Sequence, residues 1–164
     1  MGTLNARSNI FMKNTSYSEK DIVPIMEEVI KSGGSCKLRV TGYSMNPTLR
    51  HLKDSVVLVS PQKRAPKKDE IVFIKRDTGK HVLHRIRKII NDECFIMNGD
   101  AQMWTEIVRF DQVIGVAESF YRDDKLISCD SKRYKIYMKL WVLCKPIRPL
   151  IFRMASGVRK FKRK

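Results

Sequence analysis

The sequence predicts a mainly β protein of the α+β class: an antiparallel β domain with one helix before it and a basic amphipathic helical tail after it. Three observations lead there. Between Lys37 and Cys129 the apolar residues either alternate with polar ones or come in runs of four or five, the signature of half-buried and buried strands. Turn-forming residues separate these runs at hairpin spacing, which favours antiparallel pairing over crossover units. Helical spacing of apolar residues is confined to the two ends of the chain, and 164 residues suffice for one domain with a real core.

Taken in order, Met1 to Tyr17 is polar and patternless, a flexible arm. Ser18 precedes Glu19, Lys20 and Asp21, and Ile22, Val23, Ile25, Met26, Val29 and Ile30 follow at helical spacing. Ser32-Gly33-Gly34-Ser35 stops that helix. Lys37-Leu38-Arg39-Val40 alternates. Ser55–Val59 and Glu70–Ile74 read as buried strands on either side of a loop bounded by Pro61 and Pro66. Asp77-Thr78-Gly79-Lys80 turns the chain into a strand from His81 to Arg87, and Asn91-Asp92 into Cys94–Met97. Asn98-Gly99-Asp100 breaks the pattern, after which Val113–Tyr121 and Lys125–Cys129 complete the β region. Residues 18–130 are thus one domain, and 131–164 a tail. No internal repeat occurs.

Charge is distributed unevenly. The net +16 suggests nucleic acid or an anionic membrane surface as a partner, but twelve Lys or Arg and no Asp or Glu lie between Ser131 and Lys164. The remainder carries 21 basic against 17 acidic residues, so the basicity belongs to the tail. Ile151, Met154, Ala155, Val158 and Phe161 share one helical face there, and Tyr134, Tyr137, Met138, Trp141 and Cys144 form a similar stripe upstream. This is the pattern of a helix lying on anionic lipid, or docked on a protein surface. A single N-terminal helix is too little for a helix-turn-helix, so nucleic acid is not the expected partner. Cys36, Cys94, Cys129 and Cys144 lack metal-ligand or disulfide-framework spacing and read as free thiols. No apolar run is long enough to span a membrane, and no signal peptide is visible. The expected location is cytoplasmic, peripheral at the inner membrane face.

Chemistry concentrates around "VTGYSMNPTL", Val40 to Leu49. Gly42 permits an unusual backbone angle and Asn46-Pro47 starts a turn, so Ser44 is either a solvated turn residue or a nucleophile held at a fixed angle. A serine hydroxyl attacks at neutral pH only if a base takes its proton. His51 lies in the polar turn "LRHLKD" and reads as solvated. His81 and His84 lie three apart on one strand and so face opposite ways: His84 with Val82 and Ile86, His81 with Leu83 and Arg85. From this placement alone His84 is a core residue or a base.

The succession "GYSMNPTL", "DEIVFIK", "VLHRI", "NGDA", "VIGV" resembles the signal peptidase I superfamily, which includes the LexA-like self-cleaving repressors; the resemblance spans about Val40 to Tyr121. It implies a LexA/signal-peptidase-like fold and a serine endopeptidase of the histidine-type branch, with no cofactor or metal. Ser44 matches the nucleophile and His84 the general base, expected near hydrogen-bond distance of each other. Asp100 matches the acidic residue of the Gly-Asp segment, either orienting His84 or capping the turn. Glu106 is the nearest occupant of a second acidic position. The Ser44 backbone N–H would face the developing oxyanion while Met45 packs beneath. The hydroxyl residue that many signal peptidases carry two positions earlier is here Gly42, which leaves the second oxyanion donor unassigned. The substrate is expected to be a peptide or exposed protein segment near the membrane. Two other readings stand beside it: a LexA-like regulator that cleaves its own chain, and a peptide-binding protein that does not turn over.

Overall fold

The computed structural model describes residues 9–10 and 19–144. The chain divides into two compact units, residues 1–130 and 131–164. The first holds β1 (Asn9–Ile10), α1 (Glu19–Lys31), β2 (Ser35–Arg39), β3 (Ser55–Val59), β4 (Ile71–Lys75), β5 (His81–Ile89), β6 (Cys94–Asn98), β7 (Glu106–Arg109), β8 (Val113–Arg122) and β9 (Lys125–Ser128). The second opens with α2 (Lys132–Leu143), whose N-cap Ser131 accepts the Tyr134 N–H. Tyr134, Met138 and Trp141 are the buried members of its apolar stripe, whereas Tyr137 is exposed. The remaining tail residues, Ile151 to Phe161 included, lie outside the described residues.

The strands form a mainly antiparallel sheet in the order β1-β2-β3-β8-β4-β5-β6-β7, with β9 on β8. Among the described residues its one parallel pairing is β1 on β2. Register shifts between Val57 and Leu58, Phe73 and Ile74, and Ile86 and Lys88 mark β-bulges, which bend a sheet and raise its twist. The fold is the mainly β, LexA-like architecture, and its core follows from alternation. Val72, Ile74, Ile86, Phe95, Met97, Val108, Val113 and Val116 pack as one cluster, contributed by every strand from β4 to β8.

The helix stop works as its glycines suggest. Gly34 N–H bonds Val29 O at 2.9 Å and Gly33 N–H bonds Ile30 O at 3.1 Å, the paired bonds of a Schellman cap, with Gly33 at φ +84°. α1 buries Val23, Met26 and Ile30, but Ile25 is half exposed, so the buried stripe is narrower than the run of apolar residues implied. Two strands escaped the sequence reading. β1 has two residues, and β7 buries only Val108 of Glu106–Arg109, so neither carries a period-two signal.

Candidate active site

The segment from Thr41 to Arg50 is a compact loop tied down from several sides. Asn46 N–H bonds Tyr43 O, Leu49 N–H bonds Met45 O, and Leu52 N–H returns to Val40 O at 2.8 Å. Met45 and Leu49 are buried beneath it, while the Arg122 guanidinium donates to Pro47 O and Thr48 O. Gly42 sits at φ +84°, a region L side chains avoid, and its N–H donates to His51 Nδ1 at 2.9 Å. His51 therefore carries its ring proton on Nε2 and braces the residue two before Ser44, a function its polar surroundings in the sequence did not suggest.

Ser44 is clasped by the turn after β6. Ala101 N–H donates to Ser44 O at 2.8 Å. A Cβ at Gly99 would come within 2.5 Å of that oxygen, so only glycine allows the approach. Gln102 closes the clasp: its side-chain oxygen accepts the Gly99 N–H at 3.0 Å and its backbone carbonyl accepts from Asn98 Nδ2. The "NGDA" segment thus has a physical explanation in the backbone-to-backbone contact with Ser44. Neither the hydroxyl nor the backbone N–H of Ser44 has a hydrogen-bond partner among the described residues.

His84 stands on the strand next to that turn. Arg85 pairs with Asn98 across β5 and β6, so the residues just past Asn98 that clasp Ser44 lie beside His84. Its side chain is buried, and Nδ1 lies 3.2 Å from Glu106 Oε1. Arg76, in the turn before β5, grips the same carboxylate through Nε at 3.0 Å and Nη2 at 2.7 Å. Trp104 stands edge-on to the imidazole, ring centroids 6.1 Å apart. Burial pushes the His84 pKa below its ordinary value near 6.5; the Glu106 charge and hydrogen bond oppose this, and the Arg76 charge reinforces it. The imidazole is therefore neutral at neutral pH, with Nδ1–H given to Glu106 and Nε2 left as its basic atom.

The expected orienting carboxylate needs correction. Asp100 does not hydrogen-bond His84; it is fully buried against Arg85 and Arg87. Arg85 Nε and Nη2 meet its two oxygens at 2.9 and 2.7 Å, and Arg87 Nη2 adds a 2.7 Å contact. The reason is strand alternation: Arg85 and Arg87 occupy the face of β5 opposite to His84. Glu106 pairs with Met97, which pairs with Ile86, and these share the His84 face. The contact expected of Asp100 is thus made by Glu106. Burial alone would raise the Asp100 carboxyl, but Arg85, Arg87 and the Thr48 hydroxyl outweigh it and hold the pKa below the usual range. Through Thr48, Asp100 also ties the Ser44 loop to the β6 turn.

A cavity of about 240 Å³ adjoins Ser44, walled by α1, the end of β2 and the start of β5. His81 lines it, stacked on Phe73, so the second strand histidine belongs to the cavity and not to the His84 face. Among the described residues no cluster of His, Cys, Asp and Glu is arranged to hold a metal ion, and no helix is long and apolar enough to cross a membrane. The four cysteines are unpaired thiols.

A serine on a braced glycine turn, set against a strand carrying a buried histidine in this sheet order, defines the LexA/signal-peptidase-like class of serine peptidase folds. Within that class the chain belongs to the Peptidase S24-like family, whose family model matches residues 1–118 and so contains Ser44, His84, Asp100 and Glu106. No curated protein and no solved structure matches the chain.

Proposed function

We propose that the protein is a serine endopeptidase in which Ser44 attacks a peptide carbonyl, His84 Nε2 takes the hydroxyl proton, and Glu106 orients the ring. The observation that supports this reading is the buried, neutral His84 with Nδ1 on Glu106, on the strand next to the turn that bonds the Ser44 carbonyl. Glu106 fixes the tautomer with Nε2 free and stabilises the imidazolium formed during attack. The unpartnered Ser44 N–H supports its use as an oxyanion donor. The Ser44 hydroxyl is not yet bonded to His84, and such contacts commonly tighten only when substrate is bound. A fluorophosphonate probe should label Ser44 in the wild-type protein, and His84→Ala should lose the label while keeping the melting profile. Unchanged labelling of His84→Ala removes His84 from the mechanism.

Substrate in this reading is an extended peptide. Among the described residues the outer edge of β2 beyond Cys36 has no paired strand, and that edge leads into the Ser44 loop, so a strand added there arrives at the proposed nucleophile. The tail, with twelve basic and no acidic residues, would hold the enzyme at anionic lipid, at about 1 kcal/mol for each Lys or Arg near the surface. Binding to anionic vesicles should weaken with salt yet persist in part, and Ile151→Glu with Val158→Glu should remove the persistent part; retention by duplex DNA alone would sink the membrane assignment.

One observation favours self-cleavage as a second reading. β1 lies on the outer edge of β2, so a segment of the chain's own N-terminal region occupies the edge a substrate strand would use. Self-cleavage within one molecule would shorten the N-terminus at a rate independent of protein concentration; a rate proportional to concentration would refute the intramolecular route.

A further inference from the structure

We propose that the cavity beside Ser44 selects a large aromatic side chain with a polar tip, tyrosine above all, from the peptide on which this site acts. The inference rests on the peptidase reading and names its substrate class. The cavity measures about 240 Å³. An apolar core cavity of about 150 Å³ already admits benzene. A phenol ring fits this one, whereas the methyl group of alanine would leave most of it unfilled.

The walls suit a ring. Val23 and Met26 of α1, Met45 below the Ser44 loop and Leu83 of β5 are apolar, and Phe73 and His81 form a stacked pair 5.6 Å apart at 22°. Aromatic walls favour an aromatic guest in offset or edge-on contact. α1 supplies one side of the cavity, so the segment before the sheet takes part in choosing the substrate.

The polar tip follows from His81. Its Nε2 is buried and has no hydrogen-bond partner among the described residues. The Glu27 carboxylate of α1 lies 3.7 Å away, beyond hydrogen-bond range. Buried polar atoms are seldom left unmatched, so this nitrogen calls for a partner from outside. A phenol hydroxyl both donates and accepts, and therefore satisfies Nε2 in either tautomer. An acidic side chain would meet the Glu27 charge. A lysine would find Glu27 already facing Lys75 Nζ at 3.8 Å, and the apolar walls would strip its ammonium of water.

The test uses Ser44→Ala protein, which binds without cleaving, and a positional library of fluorescein-labelled octapeptides. One position should prefer phenylalanine to alanine by about tenfold or more, since single methylenes already discriminate by about 10-fold or more in apolar pockets. Tyrosine should exceed phenylalanine there by about fivefold, the worth of one added hydrogen bond. His81→Phe keeps the ring stack and should bring the tyrosine-to-phenylalanine ratio to about one without altering phenylalanine over alanine. Met26→Trp, or Val23→Phe should the first variant fold poorly, fills the cavity and should reverse the preference towards alanine. Alanine equal to phenylalanine at every position, no measurable binding of any peptide, or a large-residue preference that survives the filling variants would overturn the proposal. Fluorophosphonate labelling of wild-type Ser44 is read separately. Tyrosine selection without labelling keeps the cavity and rejects the catalytic reading; labelling without selection does the reverse.

Discussion

The two faces of β5 use charge in opposite ways. On one, His84 meets a single carboxylate, Glu106, which it shares with Arg76, and the ring stays neutral. On the other, Arg85 and Arg87 saturate Asp100, and that carboxylate stays ionised although no solvent reaches it. One strand thus carries an imidazole that can still gain a proton and, one residue later, a guanidinium that cannot lose one. A base for catalysis needs the first condition, and a clamp that holds two turns together needs the second. The Asp100 clamp ties the Ser44 loop to the β6 turn through Thr48, so the rigid face supports the one proposed to react.

The largest effect that separates the faces should come from the His84 side. His84→Ala should lower peptide cleavage on the order of 10⁵-fold, roughly 7 kcal/mol of barrier, with a change in melting temperature of only a few degrees. Ser44→Ala should match it, and the double variant should be scarcely worse than either, because in the proposed mechanism the two act as a unit. A core histidine would show the inverse: a large stability loss and proportionate activity in whatever remains folded.

Across the strand, Asp100→Ala should act on stability. It takes the carboxylate from Arg85, which is itself fully buried, and losing one partner of such a pair costs about 3–5 kcal/mol. Denaturant unfolding measures this directly. If Asp100→Ala folds as well as wild type and loses activity instead, Asp100 belongs to the chemistry and the contrast between the faces collapses.

How legible this was depends on which physical signal each feature leaves. β3 announced itself because Ser55–Val59 is a short apolar run bounded by turns, and α1 because Gly33 and Gly34 stop it. Ser44 and His84 were singled out through the motif order together with period-two alternation, and their roles in chemistry are our proposal. The contact with His84 was expected first of Asp100 because the resemblance matched it to the Gly-Asp segment, with Glu106 as the other candidate; the deciding fact for that hydrogen bond is cross-strand register. Glu106 lies on the His84 face through the Ile86–Met97–Glu106 ladder, and no local pattern in β7 reveals that ladder. Alternation alone could have warned that Arg85 and Arg87 face away from His84 and would compete for a nearby acid. His51 was beyond reach, since a ring nitrogen accepting from a backbone N–H nine residues earlier leaves no trace in composition.

A smaller effect should sharpen the contrast by moving the titration of His84 in two directions. In the proposed mechanism His84 works as a base only when neutral, so activity should fall as pH drops through its pKa, which lies below 6.5. Glu106 raises that pKa and Arg76 lowers it. Glu106→Gln should therefore shift the acid limb of kcat/KM to lower pH while cutting the plateau by about 10²-fold, because the imidazolium formed in attack loses its counter-charge. Arg76→Met should shift the limb to higher pH. Two variants moving the limb the same way would mean that another group sets it.

The smallest expected effect tests whether the Ser44 loop needs its brace. Gly42 holds φ +84°, and the 2.9 Å bond from its N–H to His51 Nδ1 is the contact that fixes that peptide two residues before Ser44. Without the acceptor the glycine regains its wide conformational freedom, and Ser44 spends less time at the angle its proposed attack requires. His51→Ala should lower kcat about tenfold with KM nearly unchanged, at a stability cost of about 1 kcal/mol, the worth of one hydrogen bond. His51→Asn offers a side-chain oxygen as a replacement acceptor and should recover most of the rate. The tilted contact of His51 with the Tyr43 ring, centroids 4.5 Å apart, gives the competing explanation that the imidazole merely packs there. Packing alone predicts that His51→Phe, which keeps a ring and lacks the acceptor, is the better rescue. The order of those two variants in a kcat measurement decides between a hydrogen-bonded brace and a stacked one.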